Sequence, residues 1–156
     1  GIMMEIFPFN NCVETGMRTL CLLNSLYPRS FDLETLVCLD YLCVHTGDFD
    51  TSVKSLHPAN PYRTGELYVR RSIIEEGLRL FIAKGLIEVR YDISGIEYLA
   101  SDEAASFLDK VSASYSVELM ERTEWVSSKL QELDKNNIQS IVKSVTADYA
   151  FQIMKR

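Results

Sequence analysis

The chain has 156 residues, of which 47% are hydrophobic and 24% are charged, and its formal net charge is −6. These values are typical of one soluble globular domain, and the acidic total argues against a chain-wide affinity for nucleic acid. No apolar run reaches the roughly 18 residues that a membrane-spanning helix needs. Because the first ten residues also lack the basic flank of a secretory signal, we expect a cytoplasmic protein without a membrane segment.

The charge is unevenly distributed along the chain. Residues 54–90 carry seven basic and four acidic side chains, whereas acidic residues are in excess on both sides of this segment. A basic middle in an acidic chain indicates an anionic partner. The alternative is a solvated helix face on which Glu and Arg form pairs. Both interpretations remain open at this point.

Two helices are predicted in the first part of the chain. The first begins after Asn11 and ends before Pro28, and the second begins after Ser30 or Asp32 and ends near Gly47. Apolar residues occur on more than one side of both segments, which predicts central positions in the core. The four cysteines form no C-x-x-C pair, so we expect buried free thiols rather than a zinc site; they are Cys12, Cys21, Cys38 and Cys43.

A polar connection of about twenty residues, 45–67, follows the second helix. Connections of this length are uncommon in small domains and are usually functional or disordered. Because few apolar residues are available to pack there, polar side chains are expected to hold the segment in place. The residues of this structural loop motif are His45, Asp48, His57, Arg63 and Glu66.

The third helix and the residues after it form a recognisable unit. The helix begins near Thr64, contains a capping pattern at Ser72 where it is expected to break or restart, and ends at Gly85. The segment "LIEVRYDISGIEYLA" then alternates apolar and polar residues around a "DISG" turn, which predicts a two-stranded hairpin. A helix followed at once by a hairpin is typical of a winged helix-turn-helix domain. The predicted fold is therefore mainly α, with a winged-helix core over residues 11–100 and a wing hairpin.

A helical extension is predicted over residues 101–156, within the same single domain 1–156. Ser101 or Asp102 begins its first helix, and amphipathic segments follow. Trp125, Phe151 and Met154 lie off the apolar stripes and are candidates for partner binding. Packing of Trp125 into the protein's own core is an equally weighted alternative.

The candidates for DNA contact are basic residues on the third helix and near the wing. If they touch phosphates, binding should be weak, salt-dependent and insensitive to sequence. The alternative is that they are structural groups held in ion pairs. The candidates are Arg70, Arg71, Arg79, Lys84 and Arg90.

No sequence motif for catalysis or nucleotide binding is present. The chain has no P-loop, no G-x-G-x-x-G, no G-x-S-x-G and no H-E-x-x-H. His45, Asp48 and His57 have no spacing that supports a metal site. We therefore expect no catalytic residue, no bound metal and no cofactor.

Several stretches of the chain resemble a known family. They are "FNNCVETGMRTLCLLNSLYP", "FDLETLVCLDYLCVHTGD", "SLHP", "PYRTGELYVRRSIIEEGLRLFIAKGLIE" and "ISGIEYLAS". The likeness as a whole extends over roughly residues 7–133. This pattern is similar to the middle component of bacterial ABC-three-component systems. The usual form of that family has Ser where this chain has Thr46, and His where it has Tyr62. A catalytic histidine at position 62 is therefore not available here.

The resemblance implies a small non-enzymatic subunit encoded between an SMC-like coiled-coil ATPase and an effector. Systems of this design include the Lamassu type of anti-phage and anti-plasmid defence, in which the ATPase senses foreign DNA. The expected partners are thus the SMC-like ATPase, the effector and, non-specifically, double-stranded DNA. The alternative is a stand-alone winged-helix transcription regulator, and an enzyme is a distant third.

Overall fold

The computed structural model describes residues 12–45, 63–111 and 117–132, together with positions 134, 136, 137, 139, 140 and 143. This part of the chain forms five helices and one two-stranded antiparallel hairpin. In chain order they are α1 (Cys12–Ser25), α2 (Leu33–Val44), α3 (Arg63–Ala83), β1 (Ile87–Asp92), β2 (Gly95–Ala100), α4 (Ala104–Val111) and α5 (Val117–Glu132). The expectation of a mainly α fold with a hairpin is confirmed.

Helices α1 and α2 are central to the core, as their apolar composition predicts. Every residue of α1 from Glu14 to Leu23 is buried, and so is every residue of α2 from Thr35 to Val44. Helices α3 and α5 pack against both of them. A helix that neighbours surround in this way needs apolar residues on all of its faces.

The ends of α2 are set by local hydrogen bonds. The Asp32 carboxylate accepts a hydrogen bond from the Thr35 amide at 2.8 Å, which confirms Asp32 as the N-cap. The helix ends at Val44, where the His45 amide donates to the Tyr41 carbonyl at 2.9 Å. This end comes earlier than the predicted one near Gly47, which lies outside the described residues.

Helix α3 is continuous, so the predicted break near Ser72 is wrong. Ser72 faces solvent, where a capping-type side chain is tolerated in mid-helix. The buried stripe continues through this point without interruption and contains Arg70, Ile74, Gly77, Leu78 and Phe81. The predicted end is confirmed: Gly85 has a φ of +74°, its amide donates to the Ile82 carbonyl, and the Leu86 amide donates to the Phe81 carbonyl.

Helices α1 and α3 cross closely because each has a glycine at the contact. A Cβ atom added to Gly77 would lie 2.9 Å from both the Cys12 carbonyl oxygen and the Gly16 Cα. A Cβ atom added to Gly16 would lie 2.5 Å from a ring carbon of Phe81. Backbone atoms cannot move aside as a flexible side chain can, so the crossing requires glycine at position 77.

The hairpin forms in the predicted place with a regular register. Ile87 pairs with Ala100, Val89 with Tyr98 and Tyr91 with Ile96. The turn is closed by the Asp92 carboxylate, which accepts a hydrogen bond from the Ser94 amide at 2.7 Å. Residue Phe31, between α1 and α2, adds a single antiparallel bridge to Tyr98.

The last two described helices complete the core. The Ser101 hydroxyl accepts a hydrogen bond from the Glu103 amide at 3.2 Å, which favours Ser101 as the cap of α4. Three apolar residues of α4 are half-buried against the core; they are Phe107, Leu108 and Val111. In α5, Thr123 and Val126 are buried.

Candidate interaction site and the buried ion-pair network

The most deeply buried polar cluster joins α1, α2 and α3. Asp40 of α2 lies between Arg18 of α1 and Arg70 of α3, and their exposed fractions are 0%, 1% and 3%. Arg18 Nε donates to Asp40 Oδ1 at 2.9 Å, and Arg18 Nη2 approaches Oδ2 at 3.4 Å. Arg70 Nη1 donates to the same Oδ2. One carboxylate thus accepts hydrogen bonds from two guanidinium groups on two different helices.

Two residues of α1 extend this network. Arg18 Nη2 donates to the Thr15 hydroxyl at 3.1 Å, and Arg18 Nη1 lies 3.8 Å from Glu14 Oε1. Burial raises the pKa of the Glu14 carboxyl above its ordinary value, and the charge of Arg18 opposes that change. Glu14 therefore contributes an acceptor whose charged form is partly disfavoured.

The charge states at the centre of the network follow from its geometry. Burial acts to raise the pKa of Asp40, but Arg18 and Arg70 outweigh it and hold the pKa below its ordinary value. For Arg18, burial acts to lower the pKa, and Asp40 outweighs it and holds the pKa above its ordinary value. Asp40 and Arg18 are therefore both charged at neutral pH. Removal of one partner from a buried pair leaves an uncompensated charge, which makes the network a structural link between three helices.

The structure corrects one of the candidates for DNA contact. Arg70 is buried and bonded to Asp40, so in this arrangement its guanidinium does not reach a phosphate. Arg71 is on the surface, with 47% of its side chain exposed. Its Nε donates to Glu34 at 2.7 Å and its Nη1 to Glu75 at 2.9 Å. This is the Glu–Arg arrangement that the alternative interpretation of the basic segment predicts.

The three remaining basic candidates are exposed. Arg79 lies on the outer side of α3, Lys84 lies just after it, and Arg90 is on β1. No ion pair to these residues occurs within the ranges that the structure describes. Contact of Arg79, Lys84 and Arg90 with DNA stays a prediction.

Among the predicted partner-binding residues, the structure describes Trp125. Its indole ring is half-buried and packs against the core, and Lys129 Nζ lies 5.9 Å from the ring centroid. The ring therefore contributes to the protein's own packing and still presents one part to solvent. Phe151 and Met154 lie outside the described residues.

Only part of the predicted loop motif can be placed. His45 is 1% exposed, and its ring lies 4.8 Å from the Tyr41 ring, measured between centroids. Asp48 and His57 lie outside the described residues. The backbone of Arg63 and Glu66 is in the first turns of α3, but their side chains are outside the described part.

The cysteines are free thiols, and those at positions 21, 38 and 43 are buried, as expected. Cys12 is half-buried. Burial raises the pKa of Cys21 and of Cys38 to about 11, and that of Cys43 to about 12. At neutral pH these three groups are therefore protonated and weakly nucleophilic.

A surface feature that the sequence did not indicate is the apolar end of the hairpin. Tyr91 is 76% exposed, Ile96 is 47% exposed, and Ile93 in the turn is fully exposed. The alternation of the strands predicts which residues share a face, but not how far the hairpin extends beyond the core. Ile87 and Ala100 on the same face are buried, so this face changes from core to surface along its length.

Within the described ranges, no group of three or more His, Cys, Asp or Glu residues is arranged to hold a metal ion. None of the helices described there is both long and apolar enough to cross a bilayer.

The fold and the buried network define a small, mainly helical protein with a polar link inside its core. The family described as "ABC-three component (ABC-3C) system Middle Component 2" matches residues 8–151. Because this match includes most of the chain, the protein belongs to that family and is a component of an ABC-three-component system. No curated protein and no solved structure matches the chain.

Membership in this family gives the buried network a context. Arg18, Asp40, Arg70 and Gly77 all lie in the stretches that carry the sequence resemblance. In the structure these residues form the ion-pair network and the close helix crossing. The physical role of these parts of the motifs is thus to join α1, α2 and α3.

Proposed function

We propose that this protein is a non-enzymatic accessory subunit that binds an SMC-like coiled-coil ATPase in a bacterial DNA-sensing defence complex of the Lamassu type. The effector of the same system is its other proposed partner, and the cytoplasm its proposed location. The observation that carries the proposal is the family match over residues 8–151. A middle component needs surfaces for its neighbours, and the structure presents candidates for such surfaces.

The proposed surface for the ATPase includes the exposed side of α5. Trp125 packs against the core and is half-buried, so part of its side chain remains accessible. Large aromatic residues in such positions are frequent anchors of protein interfaces. Phe151 and Met154 belong to the same proposed surface on sequence grounds.

The experiment is co-expression of the chain with the ATPase from the neighbouring gene, followed by affinity purification of the tagged chain. Trp125→Ala is compared with Val13→Ala, because Val13 is a 50% exposed apolar residue on α1. We expect recovery of the ATPase with the wild type and with Val13→Ala, and at least tenfold weaker binding by Trp125→Ala. A folded Trp125→Ala chain that retains wild-type affinity would show that the ATPase binds elsewhere.

A winged-helix core over residues 11–100 is part of this proposal. Two observations support it: β1 begins directly after the Gly85 cap of α3, and Phe31 bonds to the outer edge of β2 as a third, one-residue strand. In such a domain α3 would be the recognition helix and the hairpin would be the wing. The helical extension 101–156 would then be additional to this core.

DNA binding is a second candidate function, in the complex or as a stand-alone regulator. Exposure of Arg79, Lys84 and Arg90 without ion pairs in the described part of the chain favours contact with phosphates. The connection between α2 and α3, positions 45–62, is much longer than the 3–4 residues of a helix-turn-helix reader, which disfavours the regulator. Replacement of all three residues by Ala should flatten the salt dependence of DNA affinity, and an unchanged slope would exclude this contact.

A further inference from the structure

The outer edge of β1 carries main-chain groups that point away from the hairpin. The Phe31 amide donates to the Tyr98 carbonyl at 2.9 Å, and the Tyr98 amide donates to the Phe31 carbonyl at 2.8 Å. The main-chain groups of Tyr98 therefore point away from β1. Since Val89 is its register partner, Val89 and Tyr98 form a pair without mutual hydrogen bonds.

Because the two kinds of pair alternate along an antiparallel ladder, this pair determines where the main-chain groups of every other β1 residue point. The amides and carbonyls of Glu88, Arg90 and Asp92 point to β2, whereas those of Ile87, Val89 and Tyr91 point outward. In the described part of the chain no hydrogen bond reaches these three outward amides. An edge of this kind is a template for another strand.

The side chains at this edge suit a partner strand. Ile87, Val89 and Tyr91 share one face of the hairpin, and exposure on that face rises from 2% at Ile87 to 76% at Tyr91. β-Branched and aromatic residues on neighbouring strands pack favourably against each other. Glu88 and Arg90 occupy the opposite face and are exposed.

The order of charges on β1 favours one particular partner, a second copy of the same strand. If two copies of β1 pair antiparallel about a two-fold axis at Val89, Val89 lies opposite Val89 of the other copy. Ile87 then lies opposite Tyr91, and Glu88 opposite Arg90, on both sides of the axis. The outward main-chain groups of Val89 then face those of Val89 in the other copy as a hydrogen-bonded pair. The exposed Tyr91 extends from this pair towards Ile87 of the other copy, which is only 2% exposed and marks the buried end of the edge. Glu88 and Arg90 meet at the intervening positions, where opposed side chains are closest.

The two neighbouring registers place like charges opposite each other. An axis one residue earlier places Glu88 opposite Glu88, and an axis one residue later places Arg90 opposite Arg90. Like charges directly opposite each other are destabilising.

We propose that β1 is a self-association edge, through which two copies of this chain form a four-stranded sheet with its two-fold axis at Val89. The sequence and edge geometry of β1 are self-complementary in charge, in apolar contact and in main-chain hydrogen bonding. This inference goes beyond the proposed function and does not depend on the ATPase. The small contact implies weak pairing, with a dissociation constant on the order of 100 µM.

The test is sedimentation of the isolated full chain from about 10 µM to about 1 mM, a range that brackets this constant. Val89→Pro removes an outward amide and blocks the edge while it retains every bond of the hairpin. Glu88→Arg places Arg opposite Arg90 of the other copy, and Glu88→Arg with Arg90→Glu restores opposite charges. Glu76→Arg is the control, because it makes the same change of charge at an exposed position of α3. Melting transitions establish that each variant is folded.

We expect the wild type and Glu76→Arg to dimerise equally and Val89→Pro to remain monomeric. Glu88→Arg should dimerise about tenfold more weakly, and the double variant should recover most of the loss. A wild type that stays monomeric at all these concentrations would overturn the proposal. Dimerisation of Val89→Pro as strong as that of the wild type would also overturn it. So would a double variant that dimerises as weakly as Glu88→Arg. If the isolated chain is monomeric and Val89→Pro instead weakens capture of the ATPase, the edge serves a strand of that partner and the second copy is excluded.

Discussion

At the scale of single residues, Arg70 shows what the sequence could and could not indicate. Its position beside Arg71 on the third helix of the predicted winged-helix core suggested a phosphate contact. The spacing contained the opposite signal, because Arg70 precedes Ile74 by four residues and so lies on the buried stripe of α3. The spacing could not indicate the ion-pair partner of Arg70, because Asp40 is thirty positions away in sequence. Long-range ion pairs depend on how helices pack, which a local pattern does not encode.

The buried network predicts a large loss of stability on removal of the Asp40 charge at its centre. Asp40→Asn removes the charged carboxylate that both Arg18 and Arg70 bond inside the core, and we expect a loss of about 3–5 kcal/mol in the free energy of unfolding. The control is Glu34→Gln, which removes an exposed partner of Arg71 and should change the free energy by less than about 1 kcal/mol. Urea denaturation at pH 7 measures both. Equal effects of the two substitutions would contradict the structural role of Asp40.

The same carboxylate predicts a pH dependence with a defined sign. The pKa of Asp40 in the folded state is below its ordinary value of 3.8, so the folded state binds this proton more weakly than the unfolded state does. The stability that the ionised Asp40 carboxylate contributes is complete at pH values above its ordinary pKa. It is lost as the pH falls through the lower pKa that Asp40 has in the folded state. The stability difference between wild type and Asp40→Asn should therefore be constant between about pH 5 and pH 7 and decrease below about pH 4. Denaturation series across this range measure it, and a difference that grows on acidification would contradict the assignment.

The thiols provide a further test at this scale. Cys21, Cys38 and Cys43 are buried and their pKa values are raised to about 11 or 12, whereas Cys12 is half-buried. In the native protein at pH 7.5 we expect an aromatic disulfide reagent to modify Cys12 first. The other three should react only with unfolding. Reaction of all four thiols at the rate of the denatured chain would contradict the burial of α1 and α2.

At the scale of helices and strands, the sequence predicted best the features that depend on contacts between near neighbours in the chain. The cap of α2 at Asp32, the end of α3 at Gly85 and the "DISG" turn all depend on contacts within a few residues, and all are confirmed. The predicted break at Ser72 failed because packing of the buried stripe outweighs a local capping pattern. The close approach of α1 and α3 was not predicted, since it depends on Gly16 and Gly77, which are 61 positions apart in sequence.

This crossing predicts an unusual response to a glycine-to-alanine change. In an exposed helix the change stabilises by up to about 1 kcal/mol, whereas at Gly77 the new Cβ would meet backbone atoms at 2.9 Å. We expect Gly77→Ala to lower the free energy of unfolding by about 1–3 kcal/mol. Ser72→Ala on the exposed side of the same helix should be neutral or slightly stabilising. Thermal and urea unfolding measure the stability of both variants. A Gly77→Ala variant that is as stable as Ser72→Ala would contradict the close crossing of α1 and α3.

At the scale of the whole molecule, the sequence indicated the family through dense motifs, and the match over residues 8–151 confirms it. Much of what those motifs encode is internal: the ion-pair network and the glycine crossing hold the scaffold together. The interaction surfaces were less predictable, because exposure depends on which part of an amphipathic element extends beyond the core. Tyr91 and Trp125 illustrate this, since neither alternation nor helical spacing determines how much of each ring reaches solvent.

The central claim is that this protein acts as a bound subunit of a multi-protein system. The most direct measurement is the mass of the particle that contains the tagged chain when the three neighbouring genes are expressed together, determined by size-exclusion chromatography with light scattering. We expect one species in which the chain co-elutes with the large ATPase and remains with it after dilution. Elution of the chain without the ATPase, together with sequence-specific binding of the isolated chain to a palindromic DNA site, would contradict it and identify a free regulator.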